Sequence, residues 1–138
     1  RNFKGQLLWE KKAYCKSDAS SNVAAILLPF PSLKEIDTQN SYIKLEFISD
    51  DNHWESNFFF EKPKNLELSK PNIQIKNIDE LTIEISSDVL AKDVFLSSEN
   101  DTFFEDNYFD LLPNEKRIIK FSKPVQNIKV KSLFDTLK

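Results

Sequence analysis

Apolar and polar residues alternate along most of this chain, and a period of two predicts β-strands. The clearest alternation covers residues 42–47, 73–76, 81–85 and 127–131. Because successive side chains of a strand point to opposite faces, each stretch is expected to send one face into a core and the other into water. Further strand candidates are Gln6–Lys11, Asn22–Leu28, Trp54–Glu61, Asp93–Ser97 and Arg117–Phe121. No stretch keeps a helical period over three turns, so the pattern predicts an all-β, antiparallel fold.

The first alternating stretch and the candidate strand after it flank a predicted hairpin. Ile43, Leu45 and Phe47 supply the apolar face of the first strand, which is the face expected to meet a core. Ser49–Asn52 supplies the loop, because Asp and Asn tolerate left-handed backbone conformations.

Two other turn signals stand out in a chain whose only glycine is Gly5. Pro113–Asn114 predicts a turn, since Pro fixes φ and Asn accepts a positive φ. Ser32–Glu35 has the spacing of a capping box and predicts a single helical turn. Asn and Asp are therefore expected to occupy the left-handed backbone positions in turns that Gly occupies in other proteins.

Two prolines, Pro63 and Pro71, bracket a short segment near the middle of the chain, and proline is unfavourable within central strands. We place a domain boundary near Leu66, with one unit over residues 1–66 and a second over residues 67–138. The alternative is that both prolines lie in ordinary loops of a single sandwich.

Composition excludes several classes of function. The chain has 138 residues, of which 40% are hydrophobic, so it can bury a core. Its acidic and basic residues are evenly mixed and sum to a formal net charge of -3, which gives no electrostatic footprint for nucleic acid or an anionic membrane. No apolar run approaches the ~20 residues of a membrane span. Cys15 is the only cysteine, which rules out an internal disulfide and favours a small buried hydrophobic residue over a nucleophile.

Candidate chemistry is sparse, and we expect no catalytic, metal-binding or cofactor-binding residue. An acidic cluster lacks the alternating spacing and the glycine of a calcium loop, and nothing suggests a pocket that would make its carboxylates a hydrolytic pair. His53 has no second His or Cys at metal-ligand spacing and is expected to be an exposed loop residue. The acidic cluster consists of Glu99, Asp101, Glu105, Asp106 and Asp110.

Four aromatic residues, Trp9, Tyr42, Trp54 and Tyr108, are candidates for a sugar-binding platform. Such a platform uses exposed aromatic faces on a β-sandwich. Trp54 shares strand parity with Phe58, however, so filling of a core or of a sheet surface is the favoured interpretation.

The most informative segment is the aromatic and acidic run 103–115, which closes on the Pro-Asn turn. It resembles the signature "D-N-[YF]-F-D-L-L-P-G-E" of the immunoglobulin-like domain at the C-terminus of β-mannosidases, in glycoside hydrolase family 2. One departure is Asn114, where the family usually has Gly. The candidate structural signature comprises Asn107, Tyr108, Phe109, Asp110, Leu111, Leu112 and Pro113.

Three further stretches strengthen this resemblance. Gly5–Glu10 resembles the "G-x-[VL]-L-W-E" strand of the penultimate immunoglobulin-like domain, and Phe58–Leu66 resembles its last strand and the linker that follows. Leu90–Leu96 resembles the "A-K-D-V-[WF]-L" strand of the C-terminal domain. The resemblance implies an immunoglobulin-like β-sandwich fold, with one partial and one complete small sandwich.

The resemblance also implies a function. The parent enzyme would remove terminal β-mannosyl residues with retention, through two glutamates on a (β/α)8 barrel that lie upstream of this chain. The chain itself would be a non-catalytic accessory region with a scaffolding role, packing on other domains of the parent glycosidase. We expect unpaired strand edges and an incompletely covered apolar face in Phe3–Lys62 to make the isolated chain self-associate. The alternatives are an independent carbohydrate-binding module and an adhesion-type sandwich.

Overall fold

The computed structural model describes residues 1–14, 35–49 and 52–137, and every structural statement below concerns these residues. All regular elements in them are β-strands, apart from short 3-10 turns such as Pro63–Asn65 and Leu133–Thr136. No helix in this part of the chain is long and apolar enough to cross a membrane. The strands are β1 (Tyr42–Ser49), β2 (Asn52–Phe59), β3 (Ile73–Asp79), β4 (Thr82–Ser87), β5 (Ala91–Ser97), β6 (Phe109–Leu111), β7 (Lys116–Lys120) and β8 (Lys129–Lys131).

Strands β3 to β8 form a sandwich of two antiparallel three-stranded sheets, with strand orders β3-β4-β7 and β6-β5-β8. Strict alternation in β4, and alternation in β5 from Val94 onward, send one face of each sheet inward. The sheets enclose a core that excludes water almost completely, with Ile83, Ile85 and Val94 all at 0% exposure. The other buried members of this main core are Ala91, Leu96, Phe109, Leu111, Ile119 and Phe121.

Strands β1 and β2 form a separate antiparallel hairpin, in register from Tyr42 opposite Phe59 to Ser49 opposite Asn52. The predicted hairpin is therefore confirmed. Its two faces differ sharply. Since directly opposed residues share a face, one face is apolar and the other is polar. We call them the apolar hairpin face (Ile43, Leu45, Phe47, Trp54 and Phe58) and the polar hairpin face (Lys44, Glu46, His53 and Glu55).

The all-β antiparallel fold predicted from the pattern and the β-sandwich implied by the resemblance are confirmed, but the prediction of which hairpin face is buried is wrong. Leu45 and Phe47 are 52% and 53% exposed, whereas Tyr42, on the opposite parity, is 2% exposed. The reason is that Tyr42 lies at the end of β1 where the hairpin meets the C-terminal sandwich. No other described element covers the apolar hairpin face.

Two further predicted elements differ from the structure or lie outside it. Gln6–Lys11 is not a strand; residues 6–14 contain no regular element, and Leu7 and Leu8 are both about half exposed. A segment forms a strand only where another strand offers its backbone hydrogen bonds, and no described strand does so here. The candidate strand Asn22–Leu28 and most of the helical turn Ser32–Glu35 lie outside the described residues.

The Pro113–Asn114 turn forms as predicted. Asn114 has a φ of 64°, and the backbone N–H of Glu115 donates to the carbonyl of Leu112 at 3.2 Å. Asn127 also has a positive φ, of 52°. Asn thus occupies left-handed positions that other chains give to Gly, as its short polar side chain permits.

Candidate functional site: the signature segment and the joint

Asn107 opens the signature segment and ties it to β5. Its Oδ1 accepts a hydrogen bond from the backbone N–H of Leu96 at 2.7 Å, and its Nδ2 donates to the carbonyl of Leu96 at 2.9 Å. The side chain therefore imitates a paired strand residue, just before β6 begins. Both backbone groups of Leu96, whose side chain is 1% exposed, are satisfied in this way.

Tyr108 is the exposed member of the segment. It has a φ of 59°, which is a costly conformation for a bulky residue, and it is 69% exposed. Its ring lies 5.0 Å from the ring of Phe95, centroid to centroid. Phe109, the next residue, begins β6 and is buried in the main core.

Phe109 and Leu111 anchor the segment in the main core, where they are 6% and 2% exposed. Their alternation on β6 places Asp110 on the outer side. The Arg117 guanidinium lies over the Phe109 ring at 4.6 Å, and it also forms an ion pair with Asp106. The guanidinium of Arg117 thus contacts both the aromatic and the acidic part of the motif.

Asp110 stabilises an irregularity in β5. The pairing of β5 with β6 shifts register between Ala91 and Val94, and Asp93 within the shift has a φ of 50°. One carboxylate oxygen of Asp110 accepts the backbone N–H of Asp93 at 3.2 Å and the Lys92 ammonium at 3.1 Å. This is the arrangement of a β-bulge whose unpaired amide needs an acceptor from a side chain.

Leu112 lies outside the main core and belongs to a second one, which we call the joint. It is a cluster of side chains at most 6% exposed that joins residues before Leu66 to the C-terminal sandwich. Phe59 and Leu68 pack against it. The buried members of the joint are Phe3, Tyr42, Leu66, Leu90 and Leu112.

Backbone contacts close the joint on both sides. The N–H of Leu90 donates to the carbonyl of Phe3 at 2.8 Å, and the N–H of Glu67 donates to the carbonyl of Gln39 at 2.9 Å. Gly5 has a φ of 84°, and a Cβ at this position would lie only 3.0 Å from the Cβ of Pro113. A glycine is therefore required there for both backbone conformation and space.

Charged side chains add to the joint at its edge. The Lys44 ammonium lies 2.8 Å from Glu115 beside the Pro-Asn turn, 3.2 Å from Glu55 and 3.3 Å from Glu46. Partial burial acts to lower the pKa of Lys44, but hydrogen bonds to Glu115 and Glu55 outweigh it, and the net direction is upward. The Lys92 ammonium lies 4.5 Å from the centre of the Phe59 ring, which is a second contact between the hairpin and the C-terminal sandwich.

The structure does not assemble the acidic cluster of the sequence into one site. Asp106 pairs with Arg117 and Asp110 with Lys92, while Glu99 lies 4.0 Å from Lys129. Each of these carboxylates has its own partner, which is the arrangement of a charged surface and not of a shared ligand set.

The structure also shows where His53 and two of the candidate aromatic residues, Trp54 and Tyr42, lie. His53 lies within β2, not in a loop, and its Nε2 is 3.6 Å from Glu46 and 3.5 Å from Glu55. Trp54 is 53% exposed on the apolar hairpin face, with its ring 5.5 Å from that of Phe47. Tyr42 lies in the joint, where burial raises the pKa of its hydroxyl.

Sequence reasoning missed the joint and the charged group around Lys44. Gly5, as the single glycine of the chain, was the one available signal of a close backbone approach. Nothing in the order of residues indicated that Glu115 would meet Lys44, because 71 positions separate them along the chain.

Comparison with known proteins agrees with this architecture. The family described as "Ig-fold domain" (Ig_mannosidase) matches residues 68–136, which is half of the 138-residue chain. The chain belongs to the mannosidase Ig-fold family. The residues that match this family include the whole sandwich β3 to β8 and the signature segment. Residues 1–65 match a second family, described as "Mannosidase Ig/CBM-like domain".

A solved structure is similar to the mannosidase Ig-fold chain as well. The β-D-mannosidase from Dictyoglomus thermophilum superposes with a TM-score of 0.57 at 25% sequence identity. The alignment covers 72% of this chain and 14% of that chain, so the similarity concerns a small part of a much longer protein. Among curated proteins, none matches the sequence.

Proposed function

We propose that this chain is a non-catalytic accessory region of a β-mannosidase that hydrolyses terminal β-D-mannosyl residues, and that its role is scaffolding. The observation that carries the proposal is the joint. Five side chains at most 6% exposed, drawn from both sides of Leu66, make one core out of the two segments that match mannosidase families. A fixed angle between two sandwich regions is what a scaffold needs.

The signature segment supports the same proposal. Phe109 and Leu111 serve the main core, and Leu112 serves the joint. One short segment therefore links the interior of the sandwich to the contact with the preceding region. The chemistry of these residues is packing and hydrogen bonding, which fits a structural role.

The domain boundary near Leu66 forms part of the proposal. Leu66 is 6% exposed and follows the 3-10 turn Pro63–Asn65, where β2 has ended and β3 has not begun. We propose that residues 1–66 and 67–138 are successive units that share the joint.

The test uses a full-length protein that contains this chain. Leu112→Asp places a charge in the joint and is expected to lower the melting temperature of the protein, while kcat on an aryl β-mannoside, per folded molecule, stays near the wild-type value. Glu99→Gln, a surface change far from the joint, is the matched control. A Leu112→Asp protein with unchanged melting temperature would refute the scaffolding role.

The isolated chain is expected not to hydrolyse aryl β-mannosides, since the described residues assemble no acid and base around a pocket. Turnover by the purified chain that a point mutation within it abolishes would contradict this part of the proposal.

We also propose that the apolar hairpin face is a partner surface. Leu45, Phe47, Trp54 and Phe58 are each 52% or 53% exposed and lie side by side on one sheet face. In the parent glycosidase, other domains are the expected partner; in isolation, a second copy of the chain takes their place. Light scattering over a concentration series tests this, and Phe47→Lys, which puts a charge on the face, is expected to keep the chain monomeric. A strictly monomeric wild type would overturn it.

A carbohydrate-binding module is the second candidate, and the same face favours it. Phe47 and Trp54 offer two adjacent, half-exposed rings, tilted by 44° to each other on one face of a two-stranded hairpin, and exposed aromatic rings are what sugar rings stack on. If this function holds, mannooligosaccharides change the fluorescence of the wild type, and Trp54→Phe binds with similar affinity whereas Trp54→Ala does not bind.

A further inference from the structure

Three side chains of the polar hairpin face converge in a way that the order of residues does not reveal. Glu46 and Glu55 are directly opposed on β1 and β2, and His53 lies two residues before Glu55 on the same face. One potential ligand atom from each residue lies within 4.8 Å of the other two. All three are exposed, so solvent ions reach them freely.

Two of the three distances between these ligand atoms fit the edges of a tetrahedron around a small cation, and the third, between the two carboxylates, is within 4.8 Å. His53 Nε2 lies 3.6 Å from Oε1 of Glu46 and 3.5 Å from Oε1 of Glu55. Zinc bonds of roughly 2.0–2.1 Å at a tetrahedral angle place two ligand atoms about 3.4 Å apart. The imidazole of His53 therefore already lies at a suitable distance from both carboxylates for one shared ion.

The local charge also favours a dication. Glu46, Glu55 and Glu115 surround a single ammonium, that of Lys44, and the sum of three negative charges and one positive charge is -2. Directly opposed like charges on a hairpin destabilise it. At Glu55, Lys44 approaches Oε2 and His53 approaches Oε1, so one carboxylate oxygen is free for another cation. At Glu46, Lys44 and His53 approach the same Oε1, at 3.3 Å and 3.6 Å, so a zinc ion takes the place of the ammonium at this oxygen.

We propose that Glu46, His53 and Glu55 bind a zinc ion on the polar hairpin face, with water in the fourth position. The donor set selects the metal. Calcium takes 6–8 oxygen ligands, and magnesium keeps most of its water and prefers oxygen, whereas zinc accepts an imidazole with two carboxylates in a four-coordinate site. The proposal does not depend on the function of the parent protein, since all three ligands come from one hairpin.

The test is a titration of the 138-residue chain with zinc chloride, followed by calorimetry. The background is Cys15→Ser, because a free thiol binds zinc by itself. One zinc ion per chain is expected. His53→Ala and Glu55→Gln are each expected to weaken binding about tenfold or more. Glu99→Gln, which removes a surface carboxylate in the C-terminal sandwich, is the matched control and is expected to leave the affinity unchanged.

Proton NMR supplies a second readout. His53 is the only histidine of the chain, so its ring signals are assigned without ambiguity. Zinc is expected to shift these signals in the same concentration range in which heat is released. Heat release that His53→Ala leaves unchanged, or ring signals that zinc does not move, would overturn the proposal and leave ordinary ion pairs between His53 and the two glutamates.

Discussion

Two phenylalanine residues on strands with alternating apolar residues differ in burial: the one in the sandwich is buried, and the one on the hairpin is exposed. Phe109 on β6 is 6% exposed, whereas Phe47 on β1 is 53% exposed, although both lie on strands with alternating apolar residues. The difference is the presence of a second layer. In the sandwich another sheet covers the apolar face, and no described element does so for the apolar hairpin face.

This difference teaches that alternation identifies a face that can be buried but not what buries it. Two sheets that face each other stabilise a domain independently, while a two-stranded hairpin by itself is marginal in water. The hairpin of this chain derives its support from one end, where Tyr42 and Phe59 reach the joint.

The sharpest way to break the comparison is to truncate one phenylalanine in each region. Phe109→Ala is expected to lower the free energy of unfolding by about 3 to 5 kcal/mol, since it leaves a cavity in a packed core. Phe47→Ala is expected to lower it by less than about 1 kcal/mol, because half of the side chain already contacts water. Denaturant melts measure both, and equal losses would show that the apolar hairpin face is covered in solution.

A change in the joint tests whether the two regions unfold together. Leu112→Ala is expected to cost about 2 to 4 kcal/mol. Hydrogen exchange should then accelerate at the Leu90 amide, which donates to Phe3, more than at Ile83 in the main core. The same acceleration at both amides would mean that the joint and the main core form one cooperative unit.

Gly5→Ala probes the closest backbone contact between the regions. The added Cβ would lie 3.0 Å from Pro113, at a φ of 84°. We expect a loss of about 1 to 2 kcal/mol, because left-handed backbone is costly for any residue with a Cβ. A thermal melt checks this, with Lys4→Ala on the exposed neighbouring position as the control. An unchanged melt would show that residues before the joint separate from Pro113 at little cost.

Lys44→Met tests the charged edge of the joint, and its effect should depend on pH. The pKa of Lys44 is raised above its ordinary value of 10.5, so its contribution is complete below that pH and is lost as pH rises through the folded-state pKa. The difference between wild type and variant, about 1 kcal/mol, should stay constant from about pH 7 to about pH 9 and shrink above 10.5. Chemical melts at several pH values measure it; a difference that grows with pH would contradict the assignment.

The smallest effect concerns the turn that closes the signature segment. Asn114→Gly is expected to be neutral or to stabilise by less than about 0.5 kcal/mol, since Gly has the lowest cost at a φ of 64°. Pro113→Ala serves as the comparison and should cost less than Phe109→Ala, because its main effect is on φ. A strongly destabilised Asn114→Gly would reveal a side-chain role for Asn114.

The sequence predicted the sandwich well because its strands obey local rules. Ile83 and Ile85 alternate with polar residues, and Asn114 accepts the φ that the turn demands, so the pattern of residues alone locates both. The structure adds that Phe109 and Leu111 share the buried face of β6, a short strand that the pattern did not predict.

The joint and the convergence of ligand atoms on the hairpin could not be predicted in the same way. Both depend on which residues meet across the chain: Phe3 meets Leu90, and Glu46 meets His53 only once the register of the hairpin is known. A shift of one residue in that register would send Glu46 and Glu55 to opposite faces. The strand predicted for Gln6–Lys11 does not form for a related reason, since a local pattern does not supply a partner strand.

The joint has a further consequence for how the chain acquires its structure during synthesis. It unites Phe3 and Tyr42 with Leu112, so contacts between residues 109 positions apart (112 − 3) must close before it is complete. Such non-local contacts form slowly, because a long loop has to be ordered first.

On the ribosome, Tyr42 is made 70 residues before Leu112 (112 − 42), a delay of about 4 to 14 s at typical translation rates. During that interval the aromatic residues of the hairpin have no sandwich to pack against. We therefore expect nascent chains of this protein to be clients of chaperones that bind exposed aromatic segments, until the signature segment emerges and completes the joint.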